Sequence, residues 1–290
     1  MQLLLRPFHD YSGRFSPLKT AVFCALFIPA LWIASRYPNG GLGARPLTEA
    51  LHQFGDWTIR FIFIALAVTP AAQLLQWNRL LLVRRMIGVA AFAYAAMHLS
   101  LYAADEMWNL AKVFSEILLR VYLAIGFVAW LGLAALAATS TDGMIRRLGP
   151  CRWQALHRFV YLIAVLAVMH YFLQSKLQEW QPTLMAGFYA WLMGYRILAR
   201  AARPARRPAL WTIALLGIGV GVTTALGEIF YFHIAMNVPA ERILPAELWF
   251  DANMRPGMAV LLIGIAVAVV ASLRALFPAR RKPATPSPAI

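Results

Sequence analysis

Three histidines lie inside apolar stretches of the sequence, where an imidazole is unfavourable unless it has a partner. His157 and His170 belong to residues 139–170, which begin as a polar turn with four arginines and continue as an almost uninterrupted apolar run. His98 lies in an earlier apolar run. Because polar, titratable side chains within hydrocarbon are costly and usually functional, these three histidines are the first candidates for ligands of a metal or cofactor.

Two of the histidines are expected at the same depth in a membrane. His98 lies roughly 18 Å, and His170 roughly 20 Å, from the cytosolic start of its apolar run, at a rise of about 1.5 Å per residue. Both runs cross in the same direction, so the side chains can meet between helices. Two imidazoles are too few for structural zinc, which takes four ligands, whereas haem needs one or two axial ligands and an apolar slot. A bis-imidazole haem is predicted, and hydrogen-bonded packing residues are the alternative.

The composition is that of an integral membrane protein. The 290 residues are 61% hydrophobic and 13% charged, with a mean hydropathy of +0.63, whereas soluble domains are roughly half apolar and a quarter charged. The net charge of +15 does not indicate nucleic-acid binding, because the basic residues separate apolar runs and form no continuous patch. Cys24 and Cys151 are the only cysteines, which excludes a disulfide framework and a cysteine-based metal site.

Eight apolar runs approach the roughly 20 residues that a membrane-spanning helix needs. This predicts an all-α bundle of about eight transmembrane helices in contact with lipid. Most of the 27 basic residues fall on one side of these runs and most of the 12 acidic residues on the other. By the positive-inside rule, both termini are cytosolic in a bacterial inner membrane, and the acidic side is periplasmic. The runs lie near residues 20–36, 57–77, 86–104, 118–138, 157–174, 183–199, 209–232 and 257–277.

A proline- and arginine-rich linker before the last two runs suggests a boundary. We expect a six-helix core in residues 1–200, a two-helix module in residues 201–282, and a disordered proline-rich tail in residues 283–290. Glu228, near the end of the seventh run, is expected at the membrane interface. Three glycines in that run indicate a close approach between helices: Gly217, Gly219 and Gly221.

The cytosolic end of the fifth run forms a second candidate site. His157 lies among arginines, but Arg84 and Arg85 occupy the positions where a matching histidine is expected. In a regular helix the spacing of His157 and His170 falls about 140° short of four turns. Either the helix is locally distorted, or the two histidines do not serve a stacked pair of haems. An interfacial histidine is the alternative role for His157.

A basic loop adjoins this second site. Arg146, Arg147, Arg152 and Trp153 are the residues concerned. Such a cluster often orients a membrane protein or contacts lipid headgroups. Arginine also binds oxyanions in bidentate fashion, so a flavin phosphate or a haem propionate fits the same residues. The sequence leaves both roles open.

Three segments resemble the MsrQ family, also called YedZ. They are LAVTP (residues 66–70), RRMIGVAAFAYAAMHLSLY (84–102) and TSTDGMIRRLGPCRWQALHRFVYLIAVLAVMHY (139–171). The resemblance covers roughly residues 1–200. Members of this family are haem-binding membrane subunits of periplasmic methionine sulfoxide reductase systems, and they belong to the ferric-reductase-like transmembrane group.

The resemblance implies an electron-transfer subunit that lacks the substrate-reducing site itself. It implies one or two b-type haems, whose iron is held by His98, His157 and His170, and it allows for flavin mononucleotide. The implied acceptor is the periplasmic molybdopterin subunit MsrP, which reduces methionine sulfoxide in proteins. A cytosolic flavin reductase or quinol would be the donor. The alternatives are a quinol-oxidising cytochrome b, a ferric reductase, or a non-redox transporter with a histidine proton path.

Overall fold

The computed structural model describes residues 8–9, 13–175, 180–202, 208–248 and 254–276. The regular elements in these ranges are helices, so the predicted all-α membrane bundle is confirmed. The predicted tail, residues 283–290, lies outside them. The helices are α1 (Pro17–Ala25), α2 (Ile28–Arg36), α3 (Pro46–Leu74), α4 (Leu81–Asp105), α5 (Leu110–Leu119), α6 (Val121–Ala138), α7 (Asp142–Leu148), α8 (Pro150–His157), α9 (Val160–Ser175), α10 (Trp180–Ala201), α11 (Leu210–Met236), α12 (Ala240–Glu247) and α13 (Pro256–Leu276).

Seven helical segments of the described chain are long and apolar enough to cross a membrane: Pro17–Arg36, Pro46–Leu74, Asn78–Asp105, Val121–Ala138, Pro150–Ser175, Leu210–Met236 and Pro256–Leu276. The sixth predicted span, residues 183–199, corresponds to α10, which has 22 residues but is not among these seven segments because it is more polar. Its Arg196 donates hydrogen bonds to the carbonyls of Leu192 and Leu66 and lies over the ring of Tyr161. Because α10 packs among α3, α9, α11 and α13, its polar groups find partners inside the protein.

Helix α3 begins well before the apolar run that predicted it. Pro46 is at its first position and Glu49 is in its first turn, and both residue types stabilise a helix N-terminus. The polar residues of this first part lower the local hydropathy without interrupting the helix. As a result, α3 extends alongside the last turns of α4, against which it packs.

Two helix pairs form the centre of the bundle, α3 with α4 and α6 with α9. His98 lies towards the C-terminal end of α4, and His170 towards the C-terminal end of α9. We call the end of the bundle that carries Asp105 and Glu116 the acidic end. The opposite end, which carries Arg84 and Arg147, is the basic end. Both histidines therefore lie nearer the acidic end.

Helices α11 and α13 approach each other closely at small residues. A Cβ atom added to Gly217 would lie 2.8 Å from the Cα of Gly264, and one added to Gly221 would lie 2.5 Å from the Cβ of Leu261. Gly219 has no neighbour within 4 Å of such an atom. The predicted close approach therefore holds for Gly217 and Gly221, and Gly219 does not take part in it.

The same two helices are attached to α10 and to the end of α3. Two glycines of α10 lie close to these helices. A Cβ added to Gly187 would lie 2.6 Å from the side chain of Val260, and one added to Gly194 would lie 2.5 Å from that of Leu216. The Arg274 side chain donates to the carbonyl oxygen of Leu75 at 3.1 Å. These contacts hold α11 and α13 along one flank of the central bundle.

Glu228, which the sequence places at the membrane interface, is buried within the protein, with 2% of its surface exposed. It forms an ion pair with Arg255, whose Nε lies 3.8 Å from Oε1 of the buried Glu247. Burial raises the pKa of Glu247, and the positive charge of Arg255 opposes that rise. The cluster ties α12 to α11 and to the start of α13. Residues 249–253, between α12 and α13, lie outside the described ranges.

Candidate functional site

A cavity of about 870 Å³ lies between α3, α4, α6 and α9. His98 and His170 line its interior, together with apolar residues such as Ile62 and Leu133. Exposed carboxylates of Glu49 and Asp105 also line it, at the acidic end. The cavity is thus an apolar slot that contains two imidazoles and extends to the acidic end of the bundle.

The two imidazoles inside the cavity face each other in a defined arrangement. The ring centroids of His98 and His170 are 6.3 Å apart and the ring planes are inclined by 83°. The Nδ1 atom of His98 lies 2.8 Å from the carbonyl oxygen of Leu51, and Nδ1 of His170 lies 2.7 Å from that of Tyr122. A carbonyl only accepts hydrogen bonds, so each Nδ1 carries the proton and each Nε2 presents a lone pair.

This arrangement fits two axial ligands of one metal ion. An imidazole nitrogen binds a first-row metal at roughly 2.0–2.1 Å, so two imidazoles on opposite sides of one ion have ring centroids roughly 6 Å apart once the ring radii are included. The observed separation of 6.3 Å agrees with this value. Haem adds the requirement for an apolar slot around the metal, and the cavity supplies it. The residues present therefore fit a bis-imidazole haem.

A polar cluster, which the sequence analysis did not single out, lies beside His170, and three of its members, Asp56, Tyr171 and Gln181, line the cavity. Arg60 donates to Oε1 of Gln181 at 3.2 Å and lies 3.7 Å from the carboxylate of Asp56. The hydroxyl of Tyr171 donates to the same Gln181 oxygen at 2.5 Å. Hydroxyl and amide donors such as those of Tyr171 and Gln181 can bind a carboxylate such as a haem propionate. The sequence signal was an Asp and an Arg four residues apart beside an apolar run.

Ion pairs fix the wall of the cavity at the acidic end. Glu116 accepts hydrogen bonds from Tyr102 at 2.7 Å and from Arg120 at 3.1 Å. Lys112 lies 2.5 Å from Glu106, whose carboxylate raises the pKa of the lysine. Arg120 also donates to the hydroxyl of Tyr122, the residue whose carbonyl binds His170. The short helix α5 is thereby linked to the site.

His157 lies in a different environment near the basic end. Its ring stacks on Trp153, with centroids 3.9 Å apart and planes inclined by 27°. Its Nε2 lies 3.2 Å from the hydroxyl of Thr139, and Trp153 donates to the carbonyl of Thr139 at 2.9 Å. The structure thus brings together His157 and Trp153. It places His157 near the basic end of the bundle, whereas the His98 and His170 pair lies nearer the acidic end.

The helix is interrupted between the two histidines of the fifth predicted span. Helix α8 ends at His157 and α9 begins at Val160, with Arg158 and Phe159 in a turn between them. A local distortion, one of the two alternatives raised by the helical phase, is therefore present, and the other, that the two histidines do not serve a stacked pair of haems, stays a prediction.

The three arginines of the basic loop remain exposed. Arg146 and Arg147 lie in the last turn of α7, and Arg152 lies on α8. The loop itself is fixed, because Asp142 at the start of α7 forms an ion pair of 2.5 Å with Arg85 of α4. The arginines are thus presented at the surface of an anchored loop beside the His157 and Trp153 stack.

Comparison with known proteins gives the same family as the sequence motifs. Residues 54–168 match the family model described as ferric reductase like transmembrane component. The "Protein-methionine-sulfoxide reductase heme-binding subunit MsrQ" of Rhodospirillum rubrum is 40% identical over 194 residues, which are 66% of this chain and 93% of that protein. The proteins of the same name from Caulobacter vibrioides and Azospira oryzae are each 38% identical, over 61% and 67% of this chain and 84% of theirs.

No solved structure matches the chain. The aligned lengths, 179 to 195 residues, cover 61% to 67% of the chain, so at least a third of it lies outside each of these matches. The similarity nevertheless extends over most of each relative, at a level of identity that establishes common descent. This chain therefore belongs to the MsrQ family of membrane subunits.

Proposed function

We propose that this protein is a b-type cytochrome that carries electrons across a bacterial inner membrane to an MsrP-like periplasmic molybdopterin subunit, in support of methionine sulfoxide repair. The relatives are named heme-binding subunits of protein-methionine-sulfoxide reductase. The observation that carries the proposal is the His98 and His170 pair, with ring centroids 6.3 Å apart in an apolar cavity.

In this proposal, His98 and His170 would hold the iron of one haem through their Nε2 atoms. The haem supplies a centre that accepts and releases one electron at a time. The chain holds both imidazoles by their Nδ1 protons, so each Nε2 points its lone pair away from its supporting helix. Because the cavity reaches the acidic end, an acceptor that binds there comes within a short distance of this centre.

We assign a second, entry site at the basic end to His157. Its support is the stack with Trp153 and the neighbouring exposed arginines. Here His157 would hold a second haem, or the loop would bind the phosphate of FMN, since guanidinium groups pair with phosphate and propionate oxygens. Electrons would arrive at this end from a cytosolic flavin reductase or from quinol. The loop residues assigned to the cofactor are Arg146, Arg147, Arg152 and Trp153.

The proposed organisation places both termini in the cytosol. Residues 1–200 form the haem-binding core and residues 201–282 an additional two-helix module, which packs mainly on α10. The distribution of basic residues along the chain supports this orientation, since the basic loop and Arg84 share one end of the bundle. The acidic end would then face the periplasmic acceptor.

A reduced-minus-oxidised visible spectrum of the purified protein tests the assignment. The wild type should show the bands of a low-spin b-type haem. His98→Ala and His170→Ala should each remove that haem or convert it to high spin, because each deletes one axial ligand. His233→Ala is the matched control, since His233 is exposed at the end of α11. Full low-spin haem in both single variants would refute the ligand assignment.

Transfer to the acceptor is a separate measurement. The dithionite-reduced protein should be reoxidised by a purified MsrP-like subunit in the presence of methionine sulfoxide, and the rate should depend on the concentration of that subunit. If the reduced haem is not reoxidised under these conditions, the proposed acceptor is excluded, whereas the assignment as a cytochrome stands.

A further inference from the structure

The two candidate haem ligands are supported in the same way by two different helices. On α3, the carbonyl of Leu51 binds Nδ1 of His98, and an added Cβ at Gly55 would lie 3.0 Å from that imidazole. On α6, the carbonyl of Tyr122 binds Nδ1 of His170, and an added Cβ at Gly126 would lie 2.7 Å from it. In both cases the glycine follows the carbonyl residue by four positions. We call Leu51 with Gly55, and Tyr122 with Gly126, the carbonyl–glycine pairs.

The spacing of four has a physical reason. In an α-helix each Cα–Cβ bond tilts towards the N-terminus, so a side chain covers the turn that precedes its own residue. The carbonyl of residue i lies in the turn covered by residue i+4, to whose N–H it is bonded. A glycine at i+4 leaves that oxygen accessible from the side. The imidazole can then rest on the glycine and donate a second hydrogen bond to the same carbonyl.

We propose that Gly55 and Gly126 are positioning residues that fix the two imidazoles for iron coordination, through the carbonyls of Leu51 and Tyr122. The inference rests on the proposed ligation of haem by His98 and His170. The two pairs hold each ring in one rotation about its bond to the iron. They thereby set the inclination of 83° between the ring planes.

Each hydrogen bond also has an electronic consequence. A donor bond from Nδ1 makes the imidazole a stronger base towards the metal, which stabilises the more highly charged ferric state. A methyl group at Gly126 would force the His170 ring outwards, because separations under 3.0 Å are essentially never observed for Cβ atoms. The bond to Tyr122 would then lengthen or break. The same argument applies to Gly55, with a milder displacement.

The experiment compares Gly55→Ala and Gly126→Ala with Gly88→Ala in the full-length holoprotein. Gly88 is a matched control, because it lies on α4, the helix of His98, and an added Cβ there meets nothing within 4 Å. The readouts are the electron paramagnetic resonance spectrum of the ferric haem and its midpoint potential. Both report the orientation and basicity of the axial ligands, which a general loss of stability does not change in the haem that remains.

We expect both positioning variants to shift the low-spin g values and to raise the midpoint potential, with the larger effect in Gly126→Ala. Gly88→Ala should match the wild type. If Gly126→Ala does not accumulate, the milder Gly55→Ala decides the question alone. Unchanged g values and potential in the variants that fold would overturn the inference. Low-spin haem that survives His98→Ala and His170→Ala would instead overturn the proposed ligation.

Discussion

Replacing Arg255 with glutamine should make local opening of α12 more frequent without affecting the haem. The change removes the cation that lies between Glu228 and Glu247, both almost fully buried. Removing one partner of a buried ion pair costs about 3–5 kcal/mol. A quarter of the Arg255 side chain is exposed, so we take the lower end, about 3 kcal/mol, which corresponds to roughly a 10²-fold larger opening constant.

Hydrogen exchange of α12 measures that opening. Exchange of its amides reports local opening of the segment, so the rate in Arg255→Gln should rise on the order of 10²-fold at a fixed pH. Arg242→Gln is the control, because Arg242 lies on the same helix and is exposed. The haem spectrum should be unchanged in both variants. Equal α12 exchange in the two variants would refute the idea that the Arg255 cluster holds this helix.

The same variant should respond to pH in a defined direction. Burial raises the pKa of Glu247, and Arg255 opposes that rise, so removing the arginine raises this pKa further. A carboxyl group whose pKa is higher in the folded state stabilises that state as the pH falls and destabilises it as the pH rises. The exchange rate of α12 in Arg255→Gln relative to the wild type, corrected for the intrinsic effect of pH, should therefore decrease as the pH falls. A relative rate that increases as the pH falls would contradict this account.

Three further predictions concern the module and the entry site. Truncation after Arg200 should leave the haem spectrum intact and weaken binding of the MsrP-like subunit in a pull-down assay. Loss of haem in the truncated protein would instead show that α11 and α13 belong to the haem-binding core. Gly217→Ala should lower the thermal stability, at a cost of about 1–3 kcal/mol from overpacking, whereas Gly219→Ala should not. His157→Ala should slow reduction by a cytosolic donor in stopped-flow measurements, while the spectrum of the haem assigned to His98 and His170 persists. Unchanged kinetics of reduction and unchanged cofactor content would favour an interfacial role for His157.

Hydropathy and spacing predicted the parts of the site that depend on one helix at a time. The equal depth of His98 and His170 follows from a constant rise per residue, and the structure brings the two rings together. The mismatch in phase between His157 and His170 left a local distortion as one of two alternatives, and the structure contains an interruption at Arg158 and Phe159. In both cases the signal was local and periodic.

The supporting groups were not predicted, because they depend on which faces of different helices meet. Leu51 lies in the polar first part of α3, before the apolar run, so hydropathy placed it outside the span. Its function resides in a backbone carbonyl, which has no signature in the residue type. Gly55 and Gly126 are single glycines in helices, and their role becomes visible only once the imidazoles lie against them. The burial of Glu228 was not predicted, because the sequence did not show that Arg255 forms an ion pair with it.

The way in which the C-terminal helices are attached bears on how such a protein can acquire them. Arg274 binds a main-chain carbonyl at the end of α3, and any residue can supply that acceptor. The Trp180 indole also donates to a main-chain carbonyl, that of Met254, and space for the two helices is provided at Gly187 and Gly194 of α10. A shorter relative with small residues at these two sites would already be compatible with the addition. Grafting residues 201–282 onto such a relative should then yield a chimera that folds without compensating changes around its histidines.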